Sequence, residues 1–300
     1  MKHLTSLLLT IILLVMSTLL IAKAESRERL TVYVVNYPLK YFAERIAGEY
    51  AMVVFPAPPD IDPAFWFPEP EIVKAYQNAD IILLNGATYA KWTMKVTLPQ
   101  FRLVNTSKNF QDSTIKIIDA ITHSHGMDGD HSHSGTAFTT WLDFSQANMQ
   151  AEAIQQVLSR NVPEKTEVFQ KNYRLLEKDL LALDGELEKL TAGKSNIPLV
   201  ASHPVYQYFS RRYKLNLESV MWEPDQMPSD AQWEELEYGL KTHPAKWMIW
   251  EGDPHPDSIR KLEKLGVRSV VFNPCGNVPE NGDFLTTMKQ NVENLRIIFK

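Results

Sequence analysis

The chain has 300 residues, 31 Lys and Arg against 36 Asp and Glu for a formal net charge of −5, and 44% hydrophobic residues. This is a globular composition, and its mild acidity argues against nucleic acid or an anionic membrane as partner while suiting a cation. A single cysteine, Cys275, excludes an intrachain disulfide and a thiolate-rich zinc site, so any metal has to be held by His, Asp or Glu.

Residues 1–24 read as a secretory signal peptide. Met1-Lys2-His3 is a short basic start, Leu4 to Ile21 is almost wholly apolar, and Ala22-Lys23-Ala24 is a small-x-small cleavage pattern. Retention of the apolar run as an anchor is the alternative. No cysteine follows the cleavage pattern, so a lipid anchor is not expected. The mature chain is expected in a periplasm or outside the cell, two charges more negative for the loss of Lys2 and Lys23.

The mature part reads as two α/β lobes, residues 25–162 and 193–300, joined by one long helix over 163–192. In the first lobe, strands are predicted at 30–36, 51–55, 80–84 and 102–105, with helices at 38–47 and from Pro70 to Tyr76, where the proline suits a first turn. Strands alternating with helices predict a mainly parallel sheet. The second lobe repeats the plan, with strands at 197–201, 219–222, 247–250 and 269–272. Its helices run to Tyr213, over 230–242 and 258–265, and near 285–295. Between the lobes Phe169, Tyr173, Leu176, Leu180, Leu183, Leu187 and Leu190 alternate spacings of four and three, an amphipathic stripe expected to pack within the chain. A monomer is expected.

Within residues 122–136 lie four of the eight histidines: His123, His125, His131 and His133, with Asp128 and Asp130, on a Gly- and Ser-rich tether. Two His-x-His pairs on such a tether can wrap a divalent cation but cannot build a core. Zinc accepts nitrogen and oxygen ligands without a strong geometric demand. A solvated polar loop is the bland alternative.

Order and spacing of several short motifs then carry a resemblance. Tyr37-Pro-Leu-Lys-Tyr-Phe-Ala-Glu-Arg-Ile-Ala-Gly48, Asp62-Pro63 followed by Phe67-Pro-Glu-Pro70, Ala79 to Gly86 with Trp92, Leu103 to Lys108, Trp141-Leu-Asp143 and Ser202-His-Pro-Val-Tyr-Gln-Tyr-Phe209 are similar to segments of the periplasmic solute-binding proteins of zinc and manganese ABC importers. The His-rich loop sits where zinc-type members carry theirs. The resemblance implies a zinc ion, or another divalent transition metal, as transported ligand and an inner-membrane ABC permease as partner.

It also exposes a departure. Three of the positions where the family carries metal ligands are Ala64, Thr139 and Asn273 here, and only His203 is kept. Neither Ala nor a neutral Thr holds zinc. Three arrangements follow: a relocated set built from His203, Glu251 or Asp253 and histidines of the loop; a loop that alone buffers zinc; or a cleft for an organic or chelated ligand. Phe65, Trp66, Phe67 and Trp141 would supply aromatic walls for the last. Trp66, Trp141 and Asn273 are therefore candidate cleft residues. His243, at a helix end, reads as structural, and His255 lies in a turn-forming loop. Cys275 reads as a small buried filler. Catalysis is not expected: the chain has no His-Glu-x-x-His or Gly-x-Ser-x-Gly, and Ser202 and His203, adjacent on a strand, point to opposite faces.

Overall fold

The computed structural model describes residues 29–117, 122–124, 130–132 and 135–300. The expected leader, and His125, Asp128 and His133 of the loop, lie outside these residues. Among the described residues no helix is long and apolar enough to cross a membrane.

The first sheet contains β1 (Leu30–Val34), β2 (Ala51–Val54), β3 (Ile81–Leu84) and β4 (Leu103–Asn105), all parallel, in the order β2-β1-β3-β4. Two short antiparallel ladders follow: β5 (Lys116–Ile117) pairs with β8 (Gly135–Thr136), and inside that pair β6 (Thr122–Ser124) pairs with β7 (Asp130–Ser132). The second sheet contains β9 (Pro198–Ala201), β10 (Asn216–Ser219), β11 (Trp247–Trp250) and β12 (Arg268–Val271), again parallel, in the order β10-β9-β11-β12. Both sheets share one strand order. In each, the order reverses between the two central strands, and in open parallel sheets ligands gather beyond the carboxyl ends of strands at such a point.

Local chemistry sets the helix ends. Asn36 caps the helix Tyr37–Ala47 by accepting from Leu39 N, with Pro38 in its first turn. Ser229 and Gln232 form a reciprocal capping box on the helix Asp230–Thr242. Asp283 caps the helix Phe284–Leu295 through Thr286 N.

The connecting helix begins with a 3-10 turn, Pro163–Lys165, and runs α-helical over Thr166–Thr191, 26 residues, about 39 Å at 1.5 Å per residue. Phe169, Leu176, Leu180, Leu183 and Leu187 of its stripe are buried, while Tyr173 and Leu190 are half-buried. Each fully buried apolar side chain contributes roughly 1.5–3 kcal/mol, so packing rather than propensity holds this helix. It lies along the helix Phe144–Asn161, which the sequence reading did not anticipate. Its inner face mixes buried Gln146, Gln150 and Gln155 with an apolar stripe of Phe144, Ala147, Ala151, Ile154 and Leu158.

One strand prediction shifts. The second strand of the second lobe is Asn216–Ser219, three residues before the expected 219–222. The expected segment still runs beside β9, since Val220 N donates to Ala201 O at 2.9 Å and Trp222 N to Ser202 O at 2.7 Å.

The halves share one core. A continuous cluster runs from Val32, Phe42 and Trp141 through Leu176 and Leu180 to Phe209, Phe272 and Met288. Tyr37 N donates to Gly276 O at 3.0 Å, Tyr208 OH to Ala137 O at 2.9 Å, and Trp141 Nε1 to Pro274 O at 2.8 Å. Arg45 reaches Asp179 of the long helix at 2.9 Å, and Arg212 reaches Asp184.

Candidate functional site

Between the lobes opens a cleft of about 950 Å³, lined on one side by the loops after the first sheet and on the other by the carboxyl ends of β9, β11 and β12. His203 arrives two residues after β9 and Glu251 directly after β11, neighbouring strands at the point where the order reverses. Glu223 follows Trp222, whose backbone bond to Ser202 O brings the segment alongside His203. The imidazole is buried, 4% exposed. Its Nδ1 lies 3.4 Å from Glu251 Oε1 and its Nε2 lies 3.8 Å from Glu223 Oε1.

Desolvation pushes the Glu251 carboxyl well above the usual carboxylate range, and the neighbouring charges of Glu223 and Asp62 raise it further. A protonated Glu251 is the expected response of a carboxyl set among like charges. Asp62 faces the site from the first lobe, where its Oδ1 accepts from Ala64 N at 2.8 Å and its carbonyl from Phe65 N and Trp66 N. Asn277 clamps this proline-rich loop to the second lobe, donating to Pro58 O at 2.7 Å and Ile61 O at 2.8 Å.

His203 and Glu251 are therefore brought together, and Trp66 and Asn273 line the same cleft. Sequence reasoning missed Glu223, and saw Asp62 only as part of a motif. Neither sits at a ligand position that the resemblance marks, and the Trp222–Ser202 pairing brings Glu223 alongside the site. Asp253 is exposed and does not line the cleft. Ala64 is buried in the core and does not line it either, while the Thr139 hydroxyl, at the cleft wall, donates to Val205 O.

Asn273 spends its side-chain oxygen on Cys275 N at 2.7 Å, fixing a turn in which Cys275 takes φ of 57°. The Cys275 thiol is buried and pushed up to about 12 by desolvation. Trp141 lines the cleft and is 1% exposed, its ring edge-on to Tyr89 and its Nε1 donating to Pro274 O, so it fastens the lobes at the cleft wall. Phe65, Trp66, Tyr89 and Phe138 join it on the aromatic side of the cleft.

The other histidines divide in the same way. His243 closes the helix Asp230–Thr242, with Nε2 2.8 Å from Leu199 O and Nδ1 3.5 Å from Glu218. His255 caps the helix Pro256–Lys264, its Nδ1 accepting from Asp257 N at 3.2 Å. In the loop, β6 and β7 set His123 opposite His131 in the ladder register. Among the described residues no group of three or more His, Cys, Asp or Glu is already gathered around one cation position.

The family model "ZnuA: Zinc-uptake complex component A periplasmic" matches residues 32–297. Among curated proteins, the chain is 24% identical to the zinc-binding lipoprotein AdcA of Streptococcus pneumoniae over 286 residues, covering 89% of this chain and 55% of that protein. It is 25% identical to the high-affinity zinc uptake system protein ZnuA of Bacillus subtilis over 288 residues, covering 90% of this chain and 87% of that protein. The chain thus spans about half the length of the AdcA relatives it matches. The solved Zn(II)-bound ZnuA-like domain of Streptococcus pneumoniae AdcA superposes with a TM-score of 0.75 at 21% identity, covering 91% of this chain and 99% of that domain.

Proposed function

Because the chain belongs to the family of the periplasmic component A of the zinc-uptake complex, we propose that it is a periplasmic solute-binding protein that takes up zinc in its interlobe cleft and hands it to an inner-membrane ABC permease. Binding, not catalysis, is its task, and it works as a monomer. His203 and Glu251 form the fixed part of the site, and histidines of the loop, His123, His125, His131 and His133, add further donors.

One observation carries this reading: His203 Nδ1 and Glu251 Oε1 stand 3.4 Å apart. That is long for a hydrogen bond. Two donors each held at 2.0–2.1 Å on a tetrahedral zinc lie about 3.4 Å apart. Glu223, on the other ring nitrogen, is where an outer carboxylate orients a metal-bound imidazole. The zinc relatives support the choice of metal. Metal content of the mature protein purified without a histidine tag, followed by calorimetric titration with zinc, tests the reading. One tight site is expected, and its absence would overturn the proposal.

The loop supplies a second expectation. Deleting residues 127–134 should lower the number of zinc ions taken up while leaving the tight site and the melting temperature in place, since a polar tether contributes little burial. Unchanged stoichiometry would remove the loop from metal binding.

The sign of the pH effect follows from Glu251. Its carboxyl is held above the usual range, so above that range the native state keeps a proton the unfolded chain has lost. Stability of the metal-free protein should therefore fall as pH rises through the raised value. Zinc displaces that proton, and imidazole must be neutral to coordinate, so affinity should weaken as pH falls through about 6.5. Calorimetry in buffers of different ionisation enthalpy should count a released proton that Glu251→Gln no longer releases. An equal count in that variant would take Glu251 out of the metal's coordination shell.

A further inference from the structure

The two walls of the cleft differ in kind. The second lobe offers an imidazole and the carboxyl groups of Glu223, Asp225 and Glu251, whereas the first offers Asp60, Asp62 and a set of rings: Phe65, Trp66, Tyr89 and Phe138. The family's donor positions on the first lobe are closed, with Ala64 in the core and the Thr139 hydroxyl committed to Val205 O. A volume of about 950 Å³ is far larger than a bare ion fills.

Tyr89 supplies the decisive detail. It is 7% exposed, its ring stands edge-on to Phe138 and Trp141, and its hydroxyl has no hydrogen-bond partner among the described residues. A buried hydroxyl left unpaired carries a desolvation cost of about 1–3 kcal/mol. Its neighbours Ala87, Thr88 and Ala90 all take positive φ, at 49°, 60° and 52°, so the backbone holds this tyrosine in a costly turn. Across from it is Gly276 of the second lobe, where a Cβ would lie 3.8 Å from the hydroxyl. Both residues line the cleft. Burial keeps the phenol protonated, so it is available as a donor.

We propose that the cargo is a zinc ion carried with a small neutral or zwitterionic chelator of the amino-acid type. The metal rests on His203 and Glu251, and the chelator lies against the Trp66 side with an acceptor on the Tyr89 hydroxyl. The chelator's own nitrogen and oxygen donors stand in for the side chains absent at positions 64 and 139. Asp62, Glu223 and Glu251 disfavour strongly anionic chelators by charge, which fixes the class. This inference rests on the reading of the cleft as a metal site.

L-Histidine is the probe. Zinc is titrated into the protein alone, zinc with excess L-histidine is titrated second, and L-histidine without zinc third. The wild type is expected to bind zinc with histidine at least tenfold tighter than free zinc, after correction for zinc–histidine complexes in solution. Tyr89→Phe should remove about tenfold of that gain by deleting one hydrogen bond, with zinc-alone affinity unchanged. Gly276→Ala is a second variant: its methyl would make ordinary contacts of 3.6–3.9 Å with Trp141 and Tyr89, so the fold tolerates it while the hydroxyl is covered. The same selective loss is expected. If histidine merely competes for zinc, the chelate proposal falls and the metal-site reading stands. Binding of histidine equally well without zinc overturns the chelate by making the ligand purely organic. If nothing binds in any titration, both readings fall.

Discussion

Replacing His203 by alanine should lower zinc affinity by more than about a hundredfold. Loss of a mere supporting contact to a metal ligand already costs 10–100-fold, and His203 is the only histidine among the described cleft residues. The imidazole stands between Glu251 and Glu223, so its removal also leaves two carboxyl groups facing each other. Glu251 responds by holding its proton more firmly, which opposes metal further. His203→Gln, which keeps bulk and polarity between the carboxyls, separates a folding defect from a coordination defect. Both variants should keep the wild-type circular dichroism and lose the tight phase in calorimetry. Weak uptake of several ions by the loop should persist. Wild-type affinity in both variants would mean that the cleft does not hold the metal through this residue.

The second large effect concerns the fold. Asp184 of the long helix is 5% exposed and receives Arg212 Nε at 2.9 Å, the Arg212 terminal nitrogen, and Tyr213 OH at 2.9 Å. Arg212 also reaches Glu188 at 3.0 Å and approaches Asp143, the cap of the helix Phe144–Asn161. Arg212→Met keeps the stem but leaves a buried carboxylate opposed by acids. Breaking one side of a buried pair costs about 3–5 kcal/mol. Because the guanidinium remains partly accessible, about 3 kcal/mol is expected, read as a lowered midpoint in urea with an unchanged slope. A shift under about 1 kcal/mol would show the pair to be screened as an ordinary surface bridge is.

Much of this architecture is legible in the sequence, for a physical reason. Strands such as Ile81–Leu84 and Trp247–Trp250 are buried on both faces and read as unbroken apolar runs. The long helix shows its leucine stripe because its other face meets solvent. The helix Phe144–Asn161 has a stripe of Phe144, Ala147, Ala151, Ile154 and Leu158, but two of these are small alanines and buried glutamines lie among them. Gln150 is fully buried and donates to Thr106 at 2.9 Å and Asn85 at 3.2 Å, satisfied by a polar network rather than by apolar contact. The periodicity is present, but alanine and glutamine weaken its contrast with the polar face.

The site divides similarly. His203 and Glu251 can be named because each follows a recognisable strand. Glu223 cannot, since its place depends on a backbone pairing that continues past the end of β10. Trp141, an aromatic near ligand positions, does line the cleft, and its indole N–H also fastens one lobe to the other, a second role that no sequence pattern announces.

That fastening, together with the core shared across both sheets, bears on how the molecule comes apart. The second half keeps a smaller interior of its own around Trp222, Trp233 and Trp250, but the larger cluster is held in common, since Phe42 packs on Phe284 and the long helix buries its stripe between the halves. Melting of the first half therefore strips that common interior from the second, and a ligand held by the second lobe is expected to slow amide exchange in the first as well, read by hydrogen exchange with and without zinc.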